Sequence, residues 1–260
     1  MNYKLTSTAL VAVAVSLIIP QVPAQAQGVF DMGALTNTMA QGAIVKSERE
    51  RAARRHSSKR RTRTRRYGST TRLSRLMLGT FTQSAAVRKR SIDTFLAKMR
   101  VIDPKNAPSL EKTLATQTPF TKVGQKLATY GLKTNNIADP MAVYLVVSWL
   151  GTRGKNDDPS KAQLLGVRNQ MARAIADTPA VRSLTNAQKQ EMADSFLLQA
   201  MIIDGSISVA KKQPSQMPQT KAAIATGARS TFGFDLNALN LTSNGLELEA
   251  ISKVVAPELL

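Results

Sequence analysis

Residues 134–150 read TNNIADPMAVYLVVSWL, and this stretch is the strongest indication of the fold class. Asp139 and Pro140 are typical of a helix start, because aspartate caps the first turn and proline tolerates its first position. Residues 141–150 are apolar on almost every face, but the run is far shorter than the ~20 residues of a membrane-spanning helix. The stretch therefore predicts a buried central helix, with a strand as the alternative because of its valines.

Apolar residues at helical spacing predict further helices on both sides of this run. Ile92, Phe95, Leu96 and Met99, for example, follow the i, i+3, i+4, i+7 pattern of one helix face. The predicted helices cover approximately residues 84–102, 109–115, 118–130, 159–175, 186–204 and 218–230. The sequence therefore predicts an all-α fold, a compact bundle of about six helices within a domain that spans residues 84–260.

Local signals mark the ends of several of these helices. Thr185 and Gln188 form a T-x-x-Q capping box, and Gly131 and Gly233 are typical helix terminators. Signals for β-strands are sparse, so residues 234–248 are predicted to be an ordered tail with a short closing turn.

The N-terminus has the features of a secretory signal. It reads MNYKLTSTALVAVAVSLIIPQVPAQAQ, with a basic residue at Lys4, an apolar region at 10–19 and an A-x-A cleavage motif at Ala24 and Ala26. We expect a signal peptide over residues 1–26, cleaved before Gln27, and a secreted or periplasmic protein. We expect no later segment to span a membrane as an integral helix.

An arginine-rich run follows the signal. Residues 46–66 hold 11 Lys or Arg and 2 Glu, a net charge of +9 within a chain of net charge +19. Because like charges repel and the run has little to bury, residues 27–68 are predicted to be a disordered Arg-rich linker, followed by an ambiguous lead-in at 69–83.

The run predicts an electrostatic contact with an anionic partner. Arginine makes bidentate bonds with phosphate and carboxylate groups, which suits lipopolysaccharide or acidic lipid at the cell envelope. The side chains expected to bind are Arg54, Arg55, Lys59, Arg60, Arg61, Arg63, Arg65 and Arg66. Nucleic acid is a less favoured partner, because Tyr67 is the single aromatic residue beside the run. The alternative, weighted equally, is that the run is a solvated linker with no binding role.

Few residues in this sequence can carry catalysis. The chain has no cysteine, which excludes a thiol nucleophile, thiolate metal sites and disulfides, and its one histidine, His56, lies within the arginine run. No cofactor or metal motif is present, and Asp157 and Asp158 are interpreted as N-caps of the next helix. Carboxylates of the helical region are the remaining candidates for acid–base chemistry: Glu111, Asp139, Glu191, Asp194 and Asp204.

Three short motifs carry a resemblance to a known family. They are N-N-x-A-D at 135–139, P-S-x-x-Q at 159–163, and F-G-x-D-L at 232–236 with L-T-x-x-G at 241–245. On these motifs, residues 85–248 resemble a family of exported bacterial proteins of unknown function. The resemblance implies an envelope location and a helical fold. It implies no activity, and no site residue is carried over from it.

Together these features favour a non-catalytic binding or structural protein of the bacterial envelope, secreted or periplasmic. The alternatives are a carboxylate-based hydrolase that acts on envelope polysaccharide and an extracellular nucleic-acid binder. The sequence leaves the oligomeric state open.

Overall fold

The computed structural model describes residues 42, 44–46, 48–49, 77–116 and 118–248. Its helices, in chain order, are α1 (Ala85–Ile102), α2 (Ala107–Ala115), α3 (Thr118–Thr129), α4 (Ala138–Gly151), α5 (Lys161–Asp177), α6 (Pro179–Arg182), α7 (Asn186–Lys212) and α8 (Met217–Phe232). Single 3₁₀ turns lie at Pro214–Gln216 and Leu236–Ala238, and two short strands follow, β1 (Leu239–Thr242) and β2 (Gly245–Leu248). The prediction of an all-α fold is confirmed.

Helix α4 is the centre of the domain. It packs mainly against α7 and α5, and α8 covers a further part of its surface. Most of its residues are buried, including Met141 and Leu145 with no exposed surface, so the predicted central helix is confirmed and the strand alternative is wrong. Trp149 of α4 is part-buried, and its Nε1 donates to the carbonyl oxygen of Leu239 over 2.7 Å.

The start of α4 differs from its predicted form. Asp139 does not cap the helix; the side-chain oxygen of Asn136 accepts the hydrogen bond from the Ala138 amide instead, over 2.9 Å. Asp139 lies in the first turn and is buried, where it accepts from the Lys133 amide over 2.7 Å and from Nε of Arg168 over 2.9 Å. The carboxylate therefore joins α4 to α5 rather than closing the helix end.

Most other predicted helix ends are confirmed. Thr185 and Gln188 form the expected capping box at the start of α7, while Gly131 and Gly233 have the positive φ angles, 76° and 74°, of helix terminators. The N-cap of α5 is Ser160, in a capping box with Gln163, so the prediction that the preceding aspartates act as caps is wrong.

The predicted C-terminal tail is a β-hairpin. Strands β1 and β2 pair antiparallel with Leu239 opposite Leu248 and Leu241 opposite Leu246. The hairpin lies on α5, where the side-chain amide of Gln170 accepts from the amide of Leu246 and donates to its carbonyl oxygen. Because Leu239, Leu241 and Leu246 are buried, this pairing completes the hydrophobic core beside α5.

The ambiguous lead-in packs on the domain over its described part, residues 77–83. Thr80 forms a β-bridge with Asn136, and Phe81 is buried with its amide donating to the carbonyl oxygen of Asn135. This contact fixes the loop that precedes α4.

Part of the predicted disordered linker also departs from expectation. The described residues between 42 and 49, here called the N-terminal docking segment, are helical, and Ile44 is buried in the core. Lys46 Nζ lies 2.6 Å from a carboxylate oxygen of Asp177, and the Leu248 amide donates to Glu48. Apolar burial and two polar contacts thus hold this part against the end of α5 and the hairpin. The rest of 27–68 and the signal peptide at 1–26 lie outside the described residues.

Helix α7 is, within the described ranges, the one helix long and apolar enough to cross a membrane by length and composition. Most of that stretch is buried inside the domain, with Leu197, Leu198 and Ile207 almost fully enclosed. The core helix of a bundle has the same composition, because it too is surrounded by apolar side chains.

Candidate functional site

A cavity of about 650 Å³ lies beside the central helix. Helices α2 and α3 form one side of it, and α4, α7 and the loop at 156–159 form the other. Sites for small molecules commonly have volumes of ~300–1,000 Å³ and apolar walls with a few polar groups. The cavity is therefore the first candidate for a binding site in this domain.

The walls of the cavity are largely aliphatic. Val143 and Val147, one turn apart on α4, are part-buried on a helix that is otherwise almost completely enclosed, and both line the cavity. The remaining aliphatic lining residues are Pro119, Val123 and Leu127 from α3, Val146 and Leu150 from α4, Pro159 and Leu164 near the start of α5, and Leu197, Ala200 and Met201 from α7. A ligand bound in this space would bury mostly apolar surface against the protein.

One polar edge of the cavity is basic. Lys112 of α2 and Lys122 of α3 line it, and both are exposed. Within the part of the chain that the structure describes, neither ammonium group has a hydrogen bond or ion pair with an acceptor. The side chains of Ser109, Thr116 and Thr118 line the cavity beside them.

One turn further along α3, the border of the cavity also holds a closed ion pair. Lys126 Nζ lies 2.6 Å from a carboxylate oxygen of Asp158, and the same ammonium group lies 5.6 Å from the ring centroid of Tyr130. The hydrogen bond to Asp158 raises the pKa of Lys126. Burial, with the negative charge of Asp158, raises the pKa of Tyr130. This pair joins α3 to the loop that follows α4 at the border of the cavity.

Asp204 of α7 is the deepest acidic group of the site. Burial raises the pKa of its carboxyl, and the nearby charge of Asp158 acts in the same direction, although a hydrogen bond from Asn156 opposes the change. Asn156 also donates to Ser208 over 2.8 Å and accepts from Lys211 over 2.6 Å. Asp204 therefore helps to anchor the 156–159 loop on α7.

The other carboxylates proposed for catalysis are paired with arginines away from the cavity. Asp194 is fully buried and lies 2.9 Å from Arg88, although burial still raises its pKa. Asp139 binds Arg168 as described, and its pKa is also raised by burial. Glu111 and Glu191 form exposed pairs with Arg100 and Arg90. Of the five candidates, Asp204 alone lines the cavity, where Asp157 and Asp158 join it.

The residues predicted to bind an anionic partner, from Arg54 to Arg66, lie outside the described residues, as do Ala24, Ala26 and Gln27 of the cleavage site. These assignments stay predictions. In the described part of the chain, no group of three or more histidine, cysteine or acidic residues is arranged to hold a metal ion.

Sequence reasoning did not find the cavity. Val123 and Leu127 on α3 have the same spacing as a stripe buried against neighbouring helices, so their pattern predicts core rather than the wall of a cavity. Lys122 and Lys126 border that stripe at i, i+4, but lysines border most amphipathic helices and carry no specific signal.

The described domain is thus an all-α bundle with a β-hairpin at its end and an apolar cavity beside its central helix. Residues 5–249 match DUF6683, a family of unknown function, and the chain belongs to this family. No curated protein and no solved structure matches the chain.

Proposed function

We propose that this chain is an exported binding protein of the bacterial envelope, and that its helical domain holds a small apolar or amphipathic molecule. The cavity of about 650 Å³ carries this proposal. Burial of a ligand against its aliphatic walls would contribute about 25 cal/mol to the free energy of binding for each Å² of apolar surface removed from water. Lys112 and Lys122, which line the cavity, are exposed, so they can orient a ligand without being dehydrated at depth.

The arrangement of the helices supports a site rather than a packing defect. Interiors of domains are close-packed, and an unfilled apolar space of this size costs free energy. The chain nonetheless keeps α3 away from α4 and spans the gap at its edge with the Lys126–Asp158 pair. A ligand that fills the space would recover the missing contacts.

Filling the cavity from the protein side tests this proposal. We expect Val147→Phe to place a ring in the space beside α4 and to weaken binding of an apolar fluorescent probe by about tenfold or more. Val101→Phe is the control, because Val101 is exposed on α1 and does not line the cavity. Fluorescence titration measures both. Failure of the wild-type chain to bind any apolar probe, or equal binding by Val147→Phe, would contradict the proposal.

The arginine run is proposed to tether the protein to an anionic envelope component. Its charge of +9 supports this, since such a run attracts phosphate-rich surfaces strongly at low salt. We expect the chain to co-sediment with anionic vesicles, and replacement of Arg54, Arg55, Lys59, Arg60, Arg61, Arg63, Arg65 and Arg66 by glutamine to abolish this. Salt-insensitive binding, or no loss in the variant, would refute the tether. Preferential displacement by DNA would support the nucleic-acid alternative instead.

A carboxylate-based hydrolase of envelope polysaccharide is the second candidate. Asp158 and Asp204 line the same cavity, and a raised carboxyl pKa, as at Asp204, is what a general acid requires. This candidate predicts release of reducing ends from envelope polysaccharide, with loss of that activity in Asp204→Asn. An inactive wild-type chain would dismiss it.

A further inference from the structure

We propose that the ligand of this cavity is an aliphatic chain with an anionic head group, a carboxylate or a phosphate, bound with its head at Lys112 and Lys122. This inference rests on the function proposed above and specifies the chemical class of the ligand. It follows from the aliphatic composition of the walls and from which of the charged lining residues are already paired.

The walls suit a flexible hydrocarbon chain. Among the lining residues Tyr130 is the single aromatic, and its ring already lies beside the ammonium group of Lys126. Planar aromatic ligands gain from offset-stacked or edge-to-face contacts with aromatic side chains, which this wall does not offer. Burial of aliphatic surface is non-directional, so walls of valine, leucine and methionine accept a chain in many conformations.

The basic edge suits an anionic head group. Lys112 and Lys122 belong to consecutive helices and both line the cavity, each with three N–H donors that have no acceptor among the described side chains. The hydroxyls of Thr116 and Thr118, which also line the cavity, already donate to the carbonyl oxygens of Thr113 and Thr116, so the two lysines supply the available donors. Charge-assisted hydrogen bonds of this kind are about twice as strong as neutral ones.

The acidic residues that line the cavity do not offer an equivalent site for a cation. The carboxylate of Asp158 is already paired with Lys126, and Asp157 lies 3.9 Å from Lys211. Asp204 accepts from Asn156, and burial makes its ionised form less favourable. The ammonium groups of the lining without an acceptor among the described side chains are thus those of Lys112 and Lys122, and an anionic head group would bind there.

A matched set of amphiphiles tests this inference. Four ligands with the same saturated chain, headed by a carboxylate, a phosphate, a neutral alcohol and a quaternary ammonium, are titrated below their micelle concentrations against the full chain. Displacement of a bound fluorescent fatty acid gives each affinity. We expect at least one anionic ligand to bind about tenfold or more tightly than the alcohol, and the ammonium ligand to bind most weakly. The two anionic arms distinguish a fatty acid from a phosphate-headed lipid.

Two double variants locate the effect. Lys112→Gln with Lys122→Gln is expected to remove the preference for anionic heads, so that the carboxylate and phosphate ligands bind no more tightly than the alcohol. Lys98→Gln with Lys105→Gln lowers the net charge equally at exposed positions that do not line the cavity, and should keep the preference. Circular dichroism and a thermal melt establish that each variant is folded.

The outcomes separate this inference from the function on which it rests. Equal affinities for all four head groups, or a preference lost in both double variants, would overturn the inference and leave the binding function standing. Absence of binding by every ligand, the fluorescent fatty acid included, would overturn both.

Discussion

On one side of α4, helix α5 carries the hairpin so closely that a Cβ atom at Gly166 would lie 2.5 Å from the carbonyl oxygen of Ser243. On the other side, α3 is separated from α4 by a cavity of about 650 Å³. The same central helix thus borders a tightly packed half and an open half. Because the tight half fixes α4 in place, the open half can keep its space without the domain collapsing around it.

Two helical glycines give the sharpest test of this contrast. Gly166→Ala would force its new methyl group against backbone atoms of Ser243 and Gly245, so we expect a loss of about 3 kcal/mol, the upper end of the usual cost of overpacking. Gly124→Ala on α3 would meet nothing closer than 3.6 Å, so we expect a gain of about 0.5–1 kcal/mol from helix propensity. Urea denaturation measures both free energies of unfolding. The contrast fails if the two substitutions change stability in the same direction.

Polar contacts on the two sides are expected to differ in the same way. Gln170→Leu would leave the buried amide and carbonyl groups of Leu246 without their partner, at a cost of about 2 kcal/mol. Asp158→Asn would break the Lys126 pair at the cavity mouth, where Asp158 is largely exposed, and should cost less than about 1 kcal/mol.

Melting temperatures of the two variants, compared with wild type at the same pH and salt, rank these costs. If Asp158→Asn lowered the melting temperature more than Gln170→Leu, the Lys126–Asp158 pair would be more important for stability than the contact between Gln170 and the hairpin.

The smallest expected effect concerns Asp204 and depends on pH. Because burial raises the pKa of this carboxyl in the folded state, its contribution to stability is fully present below the unfolded pKa and is lost as pH rises through the folded pKa. Asn cannot ionise, so Asp204→Asn removes the loss of stability at high pH, and its side-chain oxygen can still accept a hydrogen bond from Asn156. The variant should match wild type in acid and be more stable at neutral pH.

Unfolding midpoints at several pH values check this sign. Asp139 and Asp194 also have raised pKa values, but both are present in each protein, so their contributions cancel in the difference. A variant less stable than wild type at neutral pH would mean that the charge of Asp204 is needed to hold the loop.

The helices were predictable from sequence because their signals are local. Apolar spacing along α1 and α3, the capping box of Thr185 and Gln188, and the terminator Gly131 each depend on residues within one or two turns. The hairpin also had a local signal, Asn244–Gly245 between alternating leucines, which is typical of a tight turn between strands. That signal outweighs the general scarcity of strand residues in this chain.

The cavity was not predictable in the same way. Apolar spacing shows which face of α3 points inward, but it does not give the distance between that face and the helix opposite. Val123 would have the same spacing whether it touched Val147 or faced an open space. Pairings such as Asp158 with Lys126 or Asp139 with Arg168 likewise join residues far apart in the chain, so they depend on the completed fold.

The N-terminal docking segment includes Lys46, the first residue of the arginine-rich run, and so fixes the point on the domain at which the run begins. Its contacts with Asp177 and Leu248 place that point at the C-terminal end of α5, whereas Pro159 and Leu164, near the other end, line the cavity. A helix of 17 residues is about 25 Å long, so the start of the run and this wall of the cavity are separated by about the length of α5. A substitution at Lys46 can therefore loosen the start of the run without altering the lining of the cavity.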